Sequence, residues 1–145
     1  MNYGFFRVAS VSPSLSVADC DFNSKQIIEL VKKAQDKKIK LLVFPELSIC
    51  AYTCADLFAQ KKLQEECYIA LKNICAETKN CNVLFCVGLP VELDSERFNC
   101  AAFIYKGKVL AFIPKSFIPN YSEFYESRWF ASFSENTVKQ VSVFK

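Results

Sequence analysis

Two charged side chains each follow a proline that ends an apolar run: Glu46 after Pro45, and Lys115 after Pro114. Proline has no amide hydrogen and stops the strand ladder, so the next side chain can project from the sheet edge. A carboxylate in an apolar cleft is suited to act as a general base, and an adjacent ammonium can hold it ionised and stabilise an oxyanion. If the two strands are neighbours, Glu46 and Lys115 face one pocket. The alternatives are a structural ion pair or two unrelated edge charges.

The elements that would position these residues alternate between strands and helices. Apolar runs and apolar alternation predict strands, and apolar residues at helical spacing predict helices. A hairpin turn is predicted at 106–108, and an aromatic, acidic loop at 114–132. This order predicts one α/β layered domain with a mixed sheet. Strands are predicted at 5–11, 41–44, 83–91, 100–105, 109–113 and 138–144, helices at 21–37 and 63–75, and a helical turn at 56–58.

Composition excludes several functional classes. The 145 residues are 52% hydrophobic, which is enough to bury a core. No run of 18 apolar residues suggests a membrane span, and no secretory signal is visible. The lysines are scattered, so a net charge of +3 predicts a solvated surface rather than a nucleic-acid patch. We therefore expect a cytoplasmic protein with no nucleic-acid or membrane partner.

Eight cysteines allow three interpretations: packing thiols, a disulfide scaffold or a metal site. Several lie inside apolar runs, where free thiols behave as small hydrophobic side chains. There is no histidine and no C-x-x-C spacing, which disfavours zinc. The sequence favours packing thiols in a reducing compartment.

Four stretches carry a resemblance to a known family: YGFFRVASVSP, FPELSICAYTCADLF, VGLPV followed by FNCAAFIYKGKVLAFIPKS, and PNYSEFYESRWFA. In this order they resemble the nitrilase (carbon–nitrogen hydrolase) superfamily and, within it, the glutaminase domains of glutamine-dependent NAD synthetases. The resemblance implies the N-terminal portion of an α-β-β-α sandwich. It also implies glutamine as substrate, with the released ammonia used to amidate nicotinic acid adenine dinucleotide to NAD.

The resemblance also implies roles for individual residues. Glu46 matches the general base, Lys115 the lysine that steadies the tetrahedral intermediate, and Glu123 an auxiliary glutamate. Four further residues match positions that line the glutamine pocket or its gate, with packing in an aromatic loop as the alternative: Tyr52, Tyr121, Phe124 and Glu126. Relatives usually have glycine where this chain has Ala51, so a positive φ there would add strain.

The family's nucleophilic cysteine follows the lysine, but the last cysteine here, Cys100, precedes Lys115. Residues 1–145 are therefore interpreted as one incomplete carbon–nitrogen hydrolase domain, truncated before the nucleophile and inactive alone. We expect no cofactor in this domain. ATP and magnesium would serve the absent synthetase domain, and the expected partners are the missing C-terminal remainder and further copies in a homo-oligomer. Competing interpretations are an aliphatic amidase or carbamoylase, a non-catalytic interaction module, and a cysteine-rich metal-binding domain.

Overall fold

The computed structural model describes residues 4–133. Five strands form one sheet in the order β1-β2-β3-β4-β5. The first two pairs are parallel and the last two are antiparallel, so the predicted mixed α/β sheet is confirmed. The elements are β1 Val8–Ser10, α1 Cys20–Asp36, β2 Leu41–Val43, a 3₁₀ segment Tyr52–Ala59, α2 Lys61–Glu77, β3 Leu84–Leu93, β4 Glu96–Tyr105, β5 Lys108–Pro114 and a 3₁₀ turn Glu126–Arg128.

The two helices cover one face of the sheet. In α1, Asp19 caps the first turn by accepting a hydrogen bond from the Phe22 amide at 3.0 Å. Apolar side chains of both helices are buried in one core with alternate residues of the central strands, as the strand period of two requires. That core includes Ile27, Val31, Leu71, Ile74, Leu42, Phe85, Val87, Leu89, Ala102 and Ile104.

The opposite face of the sheet is exposed in part, since the Glu46–Leu47 backbone passes over it at Gly88. Val8, Val43 and Ile113 lie on it, as their strand registers show, and they are 58%, 40% and 54% exposed. We call these three residues the uncovered face. An apolar face of this kind is typical of a surface that packs against another element.

The turns explain where the predicted boundaries failed. Lys106 and Gly107 form the predicted hairpin turn, and both have positive φ. A second hairpin was missed: β3 and β4 are joined at Asp94 and Ser95, which also have positive φ although neither is glycine. β4 consequently begins at Glu96 rather than at residue 100. The first strand has three residues instead of the predicted seven, and the strand predicted at 138–144 lies outside the described residues.

All eight cysteines are free thiols, and seven of them are buried. This burial is what thiols packing as small apolar side chains should show. One pair joins the two helices, with Cys20 Sγ 3.6 Å from Cys67 Sγ.

Candidate active site

Glu46 is placed by a backbone segment that crosses over the neighbouring strand. After β2 the chain passes above Gly88 of β3, where a Cβ would lie 2.1 Å from the Leu47 nitrogen and 2.9 Å from the Glu46 carbonyl carbon. The Gly88 amide donates to Ser48 Oγ at 3.1 Å, and the Gly88 carbonyl accepts from the Ile49 amide at 3.0 Å. Glycine at this position therefore allows the segment that carries Glu46 to lie directly on the sheet.

Lys115 follows the end of β5, the strand at the opposite edge of the sheet from β1. Its amide donates to the carbonyl of Asn99 in β4 at 2.8 Å. Its ammonium lies 2.8 Å from Glu46 Oε1. The predicted convergence of Glu46 and Lys115 is therefore present.

The condition considered from the sequence, that their two strands are neighbours, is not met. β3 and β4 separate β2 from β5, and adjacent strands lie about 4.8 Å apart. The crossing over Gly88 moves Glu46 across the sheet toward Lys115, so the two side chains meet above strands that belong to neither of them.

Glu126 completes a cluster of charges around Lys115. Its carboxylate is 3% exposed and lies 2.9 Å and 3.2 Å from the Lys115 ammonium through its two oxygens. The Tyr52 hydroxyl donates to Glu126 Oε1 at 2.5 Å. A buried carboxylate needs such partners, because an unpaired buried charge is strongly unfavourable. Two of the predicted pocket residues, Tyr52 and Glu126, thus contact each other, and Glu126 contacts the lysine.

Two pKa values in this cluster are raised. Burial acts to lower the pKa of Lys115, but its hydrogen bonds and the charges of Glu46 and Glu126 outweigh burial and raise it above 10.5. Burial raises the pKa of the Tyr52 hydroxyl, and the Glu126 hydrogen bond and the negative charges of Glu126 and Glu46 add to this. The structure therefore favours a charged lysine and a neutral tyrosine.

The other predicted site residues lie further along the loop. The rings of Tyr121 and Phe124 meet edge to face with centroids 5.9 Å apart. Tyr121 is exposed and Phe124 is half-buried. Glu123 is exposed and makes no hydrogen bond or ion pair with any of residues 4–133. Glu126, three residues later, is the acid of this loop that contacts the lysine, and the auxiliary role of Glu123 stays a prediction.

A second set of contacts ties this loop to the 3₁₀ segment. Arg128 donates to both carboxylate oxygens of Asp56, at 2.7 Å and 3.1 Å, and the Trp129 indole donates to Asp56 Oδ1 at 3.0 Å. The Phe58 ring packs against Trp129 and Phe130, with centroids 5.8 Å and 4.9 Å apart. These contacts fix the segment that presents Tyr52 against the loop that presents Glu126.

No cysteine thiol is hydrogen-bonded to Glu46, Lys115 or Glu126 among residues 4–133. The two cysteines nearest in sequence, Cys50 and Cys54, are buried, and their Sγ atoms bond to the Leu47 and Cys50 carbonyls. Within residues 4–133, which contain all eight cysteines, no hydrogen bond joins Glu46 to a cysteine.

Sequence reasoning missed two residues that build the site, Gly88 and Asn99. Asn99 is 4% exposed and its side-chain amide donates to Glu46 Oε1. A signal was available for each. Gly88 interrupts a buried strand, which often marks a close backbone approach, and asparagine is depleted in strands.

Comparisons with known proteins agree with this geometry. Residues 7–143 match the Carbon-nitrogen hydrolase family. The glutamine-dependent NAD(+) synthetase of Mycobacterium tuberculosis is 32% identical over 129 residues, covering 89% of this chain and 19% of the relative. That of Aquifex aeolicus is 33% identical over 129 residues, covering 89% and 22%. This chain therefore spans about a fifth of the length of these relatives.

Comparison with solved structures also finds a glutamine-dependent NAD(+) synthetase. The glutamine-dependent NAD(+) synthetase from Cytophaga hutchinsonii superposes with a TM-score of 0.85 at 27% identity, covering 91% of this chain and 22% of that one. An amidase from Nesterenkonia sp. superposes with a TM-score of 0.76 at 20% identity, covering 90% and 49%, which shows the shared fold alone. The match over residues 7–143, together with the confirmed mixed-sheet fold, shows that this chain belongs to the carbon–nitrogen hydrolase family.

Proposed function

We propose that this chain supplies the glutamate and lysine side of a glutamine-hydrolysing site in a glutamine-dependent NAD synthetase. The observation that carries the proposal is the Lys115 ammonium, held 2.8 Å from Glu46 and 2.9 Å from the buried Glu126. A cation fixed between two carboxylates at one end of an apolar sheet is placed to stabilise a developing oxyanion. The named relatives support glutamine as the substrate.

In the proposed reaction Glu46 accepts the proton of a cysteine thiol, and the thiolate attacks the side-chain amide carbon of glutamine. Lys115 stabilises the negative oxygen of the tetrahedral intermediate. The proton held by Glu46 passes to the leaving nitrogen, and ammonia departs. Water, deprotonated by Glu46, then cleaves the thioester to glutamate and restores the thiol.

Geometry favours Glu126 over Glu123 as the auxiliary glutamate. Glu126 contacts the Lys115 ammonium with both oxygens, whereas Glu123 is exposed and contacts neither catalytic side chain. We assign Glu126 the task of holding Lys115 charged and in place. Tyr52 is assigned the support of Glu126, and Tyr121 and Phe124 form an aromatic pair suited to a wall of the glutamine pocket.

The nucleophile and the synthetase chemistry are assigned to parts of such an enzyme outside this sequence. None of the eight cysteines bonds to Glu46, and all precede Lys115 in the chain. We likewise assign ATP and magnesium to the synthetase part. The described residues contain no group of three or more His, Cys, Asp or Glu side chains that could hold a metal ion.

The test is ammonia and glutamate release from glutamine, measured for the 145-residue chain and for the complete product of its reading frame. We expect turnover only from the complete product, and loss of at least about a hundredfold in Glu46→Gln and Lys115→Met. Lys25→Met is the control, because Lys25 pairs with Asp21 on the exposed surface of α1.

Three outcomes would contradict the proposal. Turnover by the 145-residue chain alone would show that one of its own thiols is the nucleophile. Preference for a short aliphatic amide over glutamine would instead favour an amidase. A complete product without any amide hydrolysis would favour a non-catalytic interaction module.

A further inference from the structure

We infer that Asn99 is a positioning residue that occupies one oxygen of Glu46 and thereby reserves the other, Oε2, as the proton-accepting atom. The inference rests on the proposed function, because it concerns the general base of that reaction. It is carried by the hydrogen bonds around Glu46 and by the burial of Asn99.

Both donors to Glu46 converge on the same oxygen. The Asn99 side-chain amide donates to Oε1, and the Lys115 ammonium donates to Oε1 at 2.8 Å. Among residues 4–133 no hydrogen bond reaches Oε2. The Glu46 side chain is 41% exposed, so its unbonded oxygen remains accessible.

The chemical consequence follows from the number of acceptor sites on a carboxylate. Each oxygen has about two lone-pair positions, and two donors fill those of Oε1. A proton arriving at Oε1 would have to displace Asn99 or Lys115, whereas a proton arriving at Oε2 leaves both bonds intact. The arrangement therefore directs the thiol proton to Oε2.

Asn99 is itself firmly held. It is 4% exposed, lies opposite Pro90 in the β3–β4 ladder, and accepts the Lys115 amide hydrogen on its carbonyl at 2.8 Å. Asn99 thus bonds both to the backbone of Lys115 and to the side chain of Glu46. An error of about 1 Å in such a constellation is enough to cost about a hundredfold in rate.

Two substitutions of Asn99 distinguish loss of the hydrogen-bond donor from a change in side-chain shape. Both are made in the complete product of the reading frame. Asn99→Leu keeps a similar volume and the backbone carbonyl but removes the donor. Asn99→Asp keeps the shape and replaces the donor with an acceptor. We expect kcat for glutamine hydrolysis to fall about tenfold to a hundredfold in both, with KM within about twofold of wild type. Asn82→Leu is the matched control, because Asn82 is exposed and bonds to Tyr105 on another part of the sheet.

A second measurement needs no turnover. In the ¹⁵N-labelled 145-residue chain, Glu46→Ala should move the side-chain amide proton of Asn99 upfield and speed its exchange with water. Glu123→Ala should leave both unchanged, because Glu123 is exposed and makes no hydrogen bond with Asn99 or Glu46 in the described part of the chain.

The two measurements separate failure of the inference from failure of the proposed function. Glutamine hydrolysis with unchanged kcat in Asn99→Leu would overturn the positioning role and leave the proposed function standing. If the chemical shift and exchange rate of the Asn99 side-chain amide do not change in Glu46→Ala, the positioning role is overturned without any assay of activity. An amide that responds, in a protein that does not hydrolyse glutamine, would support the contact and refute the proposed function.

Discussion

The backbone nitrogen of Leu47 passes so close to Gly88 that a Cβ on this glycine would lie 2.1 Å away. Backbone atoms cannot move aside as the end of a flexible side chain can. We therefore expect Gly88→Ala to lift the segment that carries Glu46 and to lower the free energy of unfolding by about 1–3 kcal/mol or more. Urea unfolding measures the loss, and an altered amide spectrum around Glu46 shows where it acts.

Gly4→Ala provides the comparison for this change. Gly4 has a φ of +78° but no atom within 4 Å of its Cβ position, so only conformational strain is added. An effect of Gly88→Ala no larger than that of Gly4→Ala would contradict the close approach.

Ala51 has φ 71° and ψ 153°, a region that side chains with a Cβ rarely occupy. The positive φ considered from the sequence is therefore present. The strain of about 1–3 kcal/mol exceeds the entropy that glycine loses on folding, about 0.5–1 kcal/mol. We expect Ala51→Gly to raise the free energy of unfolding by about 1 kcal/mol in a urea titration.

Ala70→Gly tests the opposite sign with the same chemical change. Ala70 is buried within α2, where glycine is about 1 kcal/mol less favourable than alanine. Stabilisation at both positions, or at neither, would show that the backbone at Ala51 is not strained.

The sequence indicated which residues form the site more reliably than it indicated how they meet. A charge after a proline that ends an apolar run indicated Glu46 and Lys115 as candidates, because that pattern depends on local chain chemistry alone. Their meeting depends on a crossing over Gly88, a tertiary contact that no local period reveals.

The sequence also could not show which of Glu123 and Glu126 is the buried acid. The two acids stand three residues apart in a loop without periodicity, so burial could not be assigned from the pattern. The β3–β4 hairpin was missed because Asp94 and Ser95 adopt positive φ without a glycine to indicate the turn.

The Lys115 cluster should make stability fall in alkali. Burial opposes the charge of Lys115, yet Glu46 and Glu126 outweigh it and raise its pKa above 10.5. The folded state thus holds this proton more tightly than the unfolded state does. The stabilisation is complete below pH 10.5 and is lost as the pH rises through the raised pKa. Urea unfolding between about pH 10 and 12 should show this slope, and Lys115→Met should reduce it.

Tyr52 contributes in the same direction, because its pKa is raised chiefly by burial and then by the Glu126 hydrogen bond. Tyr52→Phe should therefore also flatten the alkaline slope. Lys61→Met is the control, since Lys61 is exposed and takes no part in the cluster. Equal slopes in all four proteins would exclude the proposed coupling.

Asp56 should make a separate contribution in acid. Hydrogen bonds from Arg128, and then from Trp129, lower its pKa to about 2. A lowered carboxyl pKa gives stability that is present above the ordinary value of 3.8 and is lost as the pH falls toward 2. We expect Asp56→Asn to reduce the acid dependence of unfolding and to change the emission of Trp129, the single tryptophan.

Asp36→Asn is the matched control, since Asp36 is an exposed carboxylate at the end of α1. Unchanged tryptophan emission in Asp56→Asn would show that the indole does not depend on this carboxylate in solution.

The uncovered face predicts self-association of the 145-residue chain. Val8, Val43 and Ile113 lie on one side of the sheet and are 58%, 40% and 54% exposed in the described part of the chain. Exposed apolar sheet surface of this kind favours association, because it removes apolar area from water. We expect a concentration-dependent mass in sedimentation equilibrium, and Ile113→Lys should shift it toward the monomer.

Ile69→Lys is the matched control: Ile69 lies on α2 and is 50% exposed, against 54% for Ile113. If the lysine on the helix dissociates the protein as effectively as the lysine on the sheet, then the uncovered face is not the surface responsible.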